Sequence, residues 1–284
     1  SVRFVDTSNG WAVGAVGTIV KTIDGGDTWV EQNVGISDAL RALYFIDANT
    51  GWAVGDFGII LGTGDAGATW QLQKIGNSHL FDIEFTDRQN GLTVGENGKV
   101  LTTTDGGATW SDILGGTVQH LYDIDFVDSR TGWAVGAQGT IIMTNDTGRT
   151  WSHQASNTAE SLLSVNFANA KRGWVVGKNG TILRTELGGA RWGSGKVGTG
   201  YDLHKVQVLN DTQAYSVGDR GLFLRYKGRP DISVGINLWG LGGLALIVVA
   251  SILVWRGFVL ERSPERIRNT GANNGSWRSG WKNT

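Results

Sequence analysis

Gly132-Trp133-Ala134-Val135-Gly136, with Gly139-Thr140-Ile141-Ile142 just beyond it, is the most regular piece of a unit that returns six times in this 284-residue chain. The same pentapeptide stands at Gly10 to Gly14 and Gly51 to Gly55, and variants stand at Gly91 to Gly95, Gly173 to Gly177 and Ala214 to Gly218. The spacings are 41, 40, 41, 41 and 41 residues. A fixed period of that size marks a supersecondary unit that buries its apolar face only by packing against copies of itself.

Within one unit the apolar period is two, as strands require. Phe4, Phe45, Phe85, Phe126 and Phe167, with Val208 in sixth place, close short alternating runs such as Ile83-Glu84-Phe85 and Ile124-Asp125-Phe126, which read as a first strand. The Trp-Ala-Val run is a second. Glu96-Asn97-Gly98, Lys178-Asn179-Gly180 and Asp219-Arg220-Gly221 then supply the positive φ of a tight hairpin, and Thr140-Ile141-Ile142 or Thr181-Ile182-Leu183 begins a third strand. After a further turn a tryptophan opens the fourth, at Trp29, Trp70, Trp110, Trp151 and Trp192. Four short strands per repeat predict an all-β propeller over residues 1–231. Its six blades form a closed ring, or seven do if residues precede Ser1, and Ile232-Ser233-Val234 supplies the last outer strand.

The turn before each tryptophan is the most specific motif. Thr22-Ile23-Asp24-Gly25-Gly26-Asp27-Thr28-Trp29 returns at Thr63 to Trp70, Thr103 to Trp110 and Thr144 to Trp151, always as Thr-x-Asp-x-Gly-x-Thr-Trp. An Asp carboxylate there accepts hydrogen bonds from its own turn, glycine supplies the unusual φ, and the indole packs beneath. Asp24, Asp65, Asp105 and Asp146, with Trp29, Trp70, Trp110 and Trp151, are therefore read as structural. Four copies around a ring cannot share one catalytic site, and a self-bonded turn carboxylate is already occupied. The fifth copy has Leu187 and Arg191 where Asp and Thr would stand, and a sixth is absent.

These turns resemble those of the Asp-box, or bacterial neuraminidase repeat, families. With the Gly-Trp-Ala-Val-Gly strands and a first strand such as Leu121-Tyr122-Asp123-Ile124-Asp125-Phe126, residues 1 to about 229 most resemble the photosystem II stability and assembly factor family. That resemblance implies a non-enzymatic propeller outside the cytoplasmic face that holds reaction-centre polypeptides during assembly. A sialidase would need an arginine cluster, a tyrosine nucleophile with its glutamate, and an Arg-Ile-Pro sequence before the first blade. The only prolines are Pro230 and Pro264, outside the regular repeats.

Composition narrows the chemistry further. There is no cysteine, so no disulfide framework, thiolate nucleophile or cysteine metal site is expected. Of four histidines, His79 and His120 precede the first strand in neighbouring repeats and His204 lies in the fifth linker, which reads as loop hydrogen bonding rather than a metal site. No cofactor is expected. A net charge of −1 without a basic stripe argues against nucleic acid. One position in front of the first strands varies freely: Arg41, Phe81, Tyr122, Leu163 and His204 are the candidate partner-binding residues, because packing does not dictate them.

Residues 232–258 are read as a transmembrane helix. No charged residue occurs from Ile232 to Trp255, and Leu238 to Trp255 is almost wholly apolar, enough to cross a ~30 Å hydrocarbon core. Trp239 and Trp255 mark its interfaces, and Gly240 to Ala245 offers a small-residue face to another helix. Residues 259–284 form a polar basic tail in which Trp277 and Trp281 are anchors. Its arginines, against Glu261 and Glu265, place it in the cytoplasm and the propeller in the periplasm or lumen. The expected partners are the lipid bilayer and integral membrane subunits, a reaction-centre and antenna complex foremost. The alternatives are an envelope-anchored propeller that binds carbohydrate or protein, and a degenerate glycoside hydrolase.

Overall fold

A computed structural model describes residues 1–196, 198, 200–227 and 258–260. Six four-stranded antiparallel sheets follow one another along the chain, each with its strands in sequential order. They occupy residues 2–32, 40–74, 80–114, 121–153, 162–196, and 203–227 with 258–260. These are the six blades of a propeller, with the first strand of every blade lining a central cavity.

The pentapeptide explains how one blade joins the next. Its tryptophan lies on the exit face of a blade and stacks on the phenylalanine that ends the first strand of the following blade. The ring centroids are 3.8 Å apart for Trp11 and Phe45, 3.4 Å for Trp52 and Phe85, and 3.5 Å for Trp133 and Phe167, with planes within 12° of parallel. The indole N–H is used as well, since Trp11 Nε1 donates to the Ala66 carbonyl, Trp52 Nε1 to Gly106 and Trp133 Nε1 to Gly188, each in the next blade's box turn. The opening glycine of the pentapeptide lies under that same phenylalanine, for a Cβ on Gly51 would sit 2.6 Å from the Phe45 ring.

The Asp-box geometry repeats almost unchanged in four copies. Thr22 Oγ1 donates to Asp24 Oδ1 at 2.7 Å and accepts from the Gly26 N–H, while Asp24 accepts both the N–H and the hydroxyl of Thr28. In the fifth copy the threonine survives alone, with Thr185 Oγ1 accepting from Gly189 N–H. Trp70, Trp110 and Trp192 donate Nε1 to Gln32, Gln73 and Gln154 of the preceding blade. Ile113 stands where the fourth such glutamine would be, and Trp151 Nε1 has no partner.

Two expectations need correction. The fourth strand of blade six is Phe258–Leu260, paired antiparallel with Leu222–Lys227, rather than Ile232-Ser233-Val234. Phe258, the last residue of the expected helix 232–258, is thus in a strand. The rest of that helix and the tail, with Trp239, Trp255, Trp277 and Trp281, lie outside the described residues. Among the described residues no helix is long and apolar enough to cross a membrane. The six blades stand as expected, but the seam between blades six and one lacks the aromatic stack that joins blade one to two, two to three and four to five. Val217 and Phe223 on the exit face of blade six are 46% and 40% exposed, whereas their counterparts Val176 and Ile182 are buried. Phe4 on the entry face of blade one is 41% exposed, whereas Phe45, Phe85 and Phe167 are buried. At this seam Tyr215 replaces the tryptophan and leans on Phe223 of its own blade instead of on the next one.

Candidate functional site

Each of the five varied positions is the extra residue of a β-bulge. In blade two Leu40 pairs with Gly55 and Ala42 with Val54, leaving Arg41 without a cross-strand partner. Phe81, Tyr122, Leu163 and His204 are skipped in the same way. A bulge re-aims one side chain away from the regular pleat, so all five leave the packed alternation at one end of the propeller. The closing glycine of the pentapeptide makes the bulge fit, since a Cβ on Gly136 would lie 1.9 Å from the His120 carbonyl and one on Gly55 2.1 Å from that of Ala39.

The structure brings three of these side chains together. The Arg41 guanidinium lies over the Phe81 ring at 5.4 Å, and Phe81 is 5.6 Å from Tyr122. His120 completes the group at 6.2 Å from both aromatic rings. Arg41 is ion-paired with Asp56, which also approaches His79 Nδ1 at 3.0 Å. His120 Nδ1 accepts the Asn97 N–H, and Asp202 Oδ1 accepts that of Asn179 at the equivalent turn. The histidines are thus hydrogen-bonding loop residues, and no group of His, Cys, Asp or Glu able to hold a metal occurs among the described residues. His204 lies apart, bonded through Nε2 to Asp219, whose carboxyl is held below its usual range by that bond.

Below the rim lies a feature that the sequence reading passed over. The first strands carry polar residues on their channel side, two positions apart, that reach across to the next blade. Asp82 and Glu84 accept the backbone N–H of Ile124 and Phe126, Asp123 and Asp125 those of Val165 and Phe167, and Ser164 and Asn166 those of Val206 and Val208. The signal was present in Asp82-Ile83-Glu84-Phe85 and Asp123-Ile124-Asp125-Phe126, where charge alternates with core residues. Asp82, Glu84, Asp125 and Asn166 line a cavity of about 370 Å³ together with Arg3, Tyr44 and Lys205. Burial, reinforced by the charge of Asp123, raises the Asp82 carboxyl well above its ordinary range; burial and Asp125 do the same to Glu84. Asp125 is raised by burial to about 6. Lys205 bonds Asp123 Oδ1 at 2.6 Å, and although burial opposes its charge, Asp123 and Asp82 hold its ammonium above the usual lysine value. With the lysine side chain 57% exposed to the channel, this ion pair is partly screened by water.

The Asp-box carboxylates sit elsewhere, in the turns before the fourth strands. Hydrogen bonds from Thr28, first through its hydroxyl, bring Asp24 to about 2, and Asp65, Asp105 and Asp146 reach the same value through Thr69, Thr109 and Thr150. An acid so strongly held as its anion is a poor proton donor near neutrality.

The family model described as photosynthesis system II assembly factor YCF48 matches residues 1–78 and 112–199. The unmatched stretch between them is essentially blade three. Among solved structures, YCF48 from Cyanidioschyzon merolae is 16% identical with a TM-score of 0.64, covering 77% of this chain and 79% of that one. An ancestral GH74 enzyme is 11% identical with a TM-score of 0.66, covering 80% of this chain and 36% of that one. A structure of YCF48 bound to D1 peptide is 20% identical with a TM-score of 0.46, covering 81% and 91%. The likeness to the first two shows the propeller fold. No curated protein matches the chain.

Proposed function

The chain belongs to the photosynthesis system II assembly factor YCF48 family, and from that membership we propose that it is a non-enzymatic propeller holding polypeptides of a photosynthetic membrane complex through its bulged rim. The observation that carries this reading is the family match over more than half of the chain. The rim supports it physically. Positions that packing leaves free are lifted by bulges into a common arc, as a binding surface on a rigid scaffold requires. The hydrolase reading draws less support, because the box carboxylates are committed to their own threonines and Asp82, Glu84, Asp123 and Asp125 are committed to inter-blade bonds.

The same reading places the propeller on the periplasmic or lumenal side, attached to the membrane by the apolar run Leu238 to Trp255. Purification of the full chain in mild detergent, followed by identification of what accompanies it, is the test. Reaction-centre or antenna polypeptides are the expected companions, and their absence overturns the proposal. The pair Phe81→Ala and Tyr122→Ala is expected to lose those companions while the chain remains folded. Measurable glycan hydrolysis by the intact protein would overturn the non-enzymatic assignment.

A further inference from the structure

At the hairpin between the second and third strands of every blade, one non-glycine residue adopts left-handed backbone and a glycine follows it. Asn97 and Asn179 hold the position in blades three and five at φ 56° and 53°, as expected of the side chain that best tolerates this region after glycine. Blades one and two instead place Val16 and Phe57 there, both at φ 54°. A β-branched or bulky residue is a true outlier in that region. Packing does not compensate for it, since Val16 is 74% and Phe57 52% exposed. Strain kept by an exposed apolar side chain points to a contact made with something else.

These two residues share the rim with Arg41, Phe81 and Tyr122. Phe57 lies 5.3 Å from the His79 ring, and its neighbour Asp56 pairs with Arg41. The arc over blades one to three is thus apolar and aromatic, and the charges on it are mainly acidic. Asp38, Asp56 and Glu96 flank it, and Arg41 is paired with Asp56. We propose that this arc receives a polypeptide segment that presents apolar side chains together with a basic residue. The aliphatic and aromatic groups cover Val16, Phe57 and Phe81, and the cation answers Asp38 and Glu96, since Asp56 is taken by Arg41. Opposite charge across such a contact fixes register and selects the partner. This inference rests on the proposed role of the rim in holding a polypeptide, and it names the chemistry of what is held.

The test uses the full chain and two synthetic peptides of about fifteen residues, rich in Leu and Phe, one with two Lys and the other with Glu at those positions. The Lys peptide is expected to bind about tenfold tighter or better. The double variant Val16→Asn with Phe57→Asn, which installs the residue native to blades three and five, should lose that binding and raise the thermal midpoint, since it relieves the strained backbone. Equal binding of the two peptides overturns the proposed chemistry, and undiminished binding by the double variant overturns the location. A chain that binds the Lys peptide but brings no reaction-centre or antenna polypeptide through purification refutes the proposed function and leaves the arc standing. A chain that retains those companions while binding neither peptide refutes the arc alone.

Discussion

Single residues decide whether each seam is satisfied. Gln154 accepts the Trp192 indole N–H at 3.2 Å and donates to the Gly188 carbonyl at 2.9 Å, so it closes two polar groups of the next blade at once. Gln154→Leu is expected to cost about 1–3 kcal/mol, the penalty for orphaning buried polar groups, measured by urea unfolding. Trp151 already lacks such a partner because Ile113 faces it. Trp151→Phe should therefore cost less than Trp192→Phe, and equal losses would show that the glutamine bridge contributes nothing. Titration acts at this scale too. Asp125 is raised from 3.8 to about 6 in the folded chain, so the folded state holds its proton more tightly than the unfolded chain. Stability is fully present below about 4 and declines as pH rises through about 6. The box aspartates work in the opposite sense, because their carboxyls fall from 3.8 to about 2 and their contribution is lost as pH drops through that interval. Asp125→Asn should flatten the stability profile between about pH 4 and 6 and leave the acid limb unchanged. An unaltered profile would exclude Asp125 as its source.

At the scale of the element, the bulge and the closing glycine form one device. Gly136→Ala places a Cβ 1.9 Å from the His120 carbonyl, so the bulge must shift and carry Tyr122 with it. The expected cost is about 1–3 kcal/mol, as for other overpacked sites. Partner binding should weaken more than stability alone explains, which is read by comparing affinity at temperatures where both proteins are folded. The strand Phe258–Leu260 sets a condition of a different kind. Both Lys227 and Phe258 belong to the sheet of blade six, and strand pairing keeps these two residues on one side of any membrane. An impermeant thiol reagent applied to Ser279→Cys in sealed vesicles reads the consequence cleanly, because the chain has no cysteine of its own. Labelling from the propeller side is the expected outcome while this strand is paired. Labelling from the opposite side would mean that the apolar run crosses the membrane once and that the strand has left the sheet.

For the whole molecule, stability is distributed by seams. The internal seams combine stacked or close-packed apolar side chains with box turns or channel hydrogen bonds, whereas the sixth-to-first seam leaves Phe4, Val217 and Phe223 exposed. Local opening follows low contact density. Backbone amides of Val2–Phe4 and Gln213–Gly218 should therefore exchange with solvent well before those of Gly91–Gly95 and Gly132–Gly136, as read by hydrogen exchange. Uniform protection around the ring would show that the terminal blades are held by contacts equivalent to the internal seams.

The sequence by itself determined the repeat, its four strands, the left-handed Asn-Gly hairpins and the Asp-box. Each rests on short-range chemistry, since a box closes its bonds within eight residues and an Asn97-Gly98 turn needs only its own dihedrals. It also marked Arg41, Phe81, Tyr122, Leu163 and His204 as free of packing. The tertiary structure alone decided why they are free, because a bulge is a relation between two strands and cannot be read along one. The channel carboxylates needed it most. Asp82 and Glu84 find their acceptor role at Ile124 and Phe126, 42 positions onward in the next blade, and only the folded ring brings that backbone within reach. The same holds for the last strand of blade six, where Phe258–Leu260 pairs with Leu222–Lys227 although Ile232-Ser233-Val234 offered a strand pattern nearer in the chain.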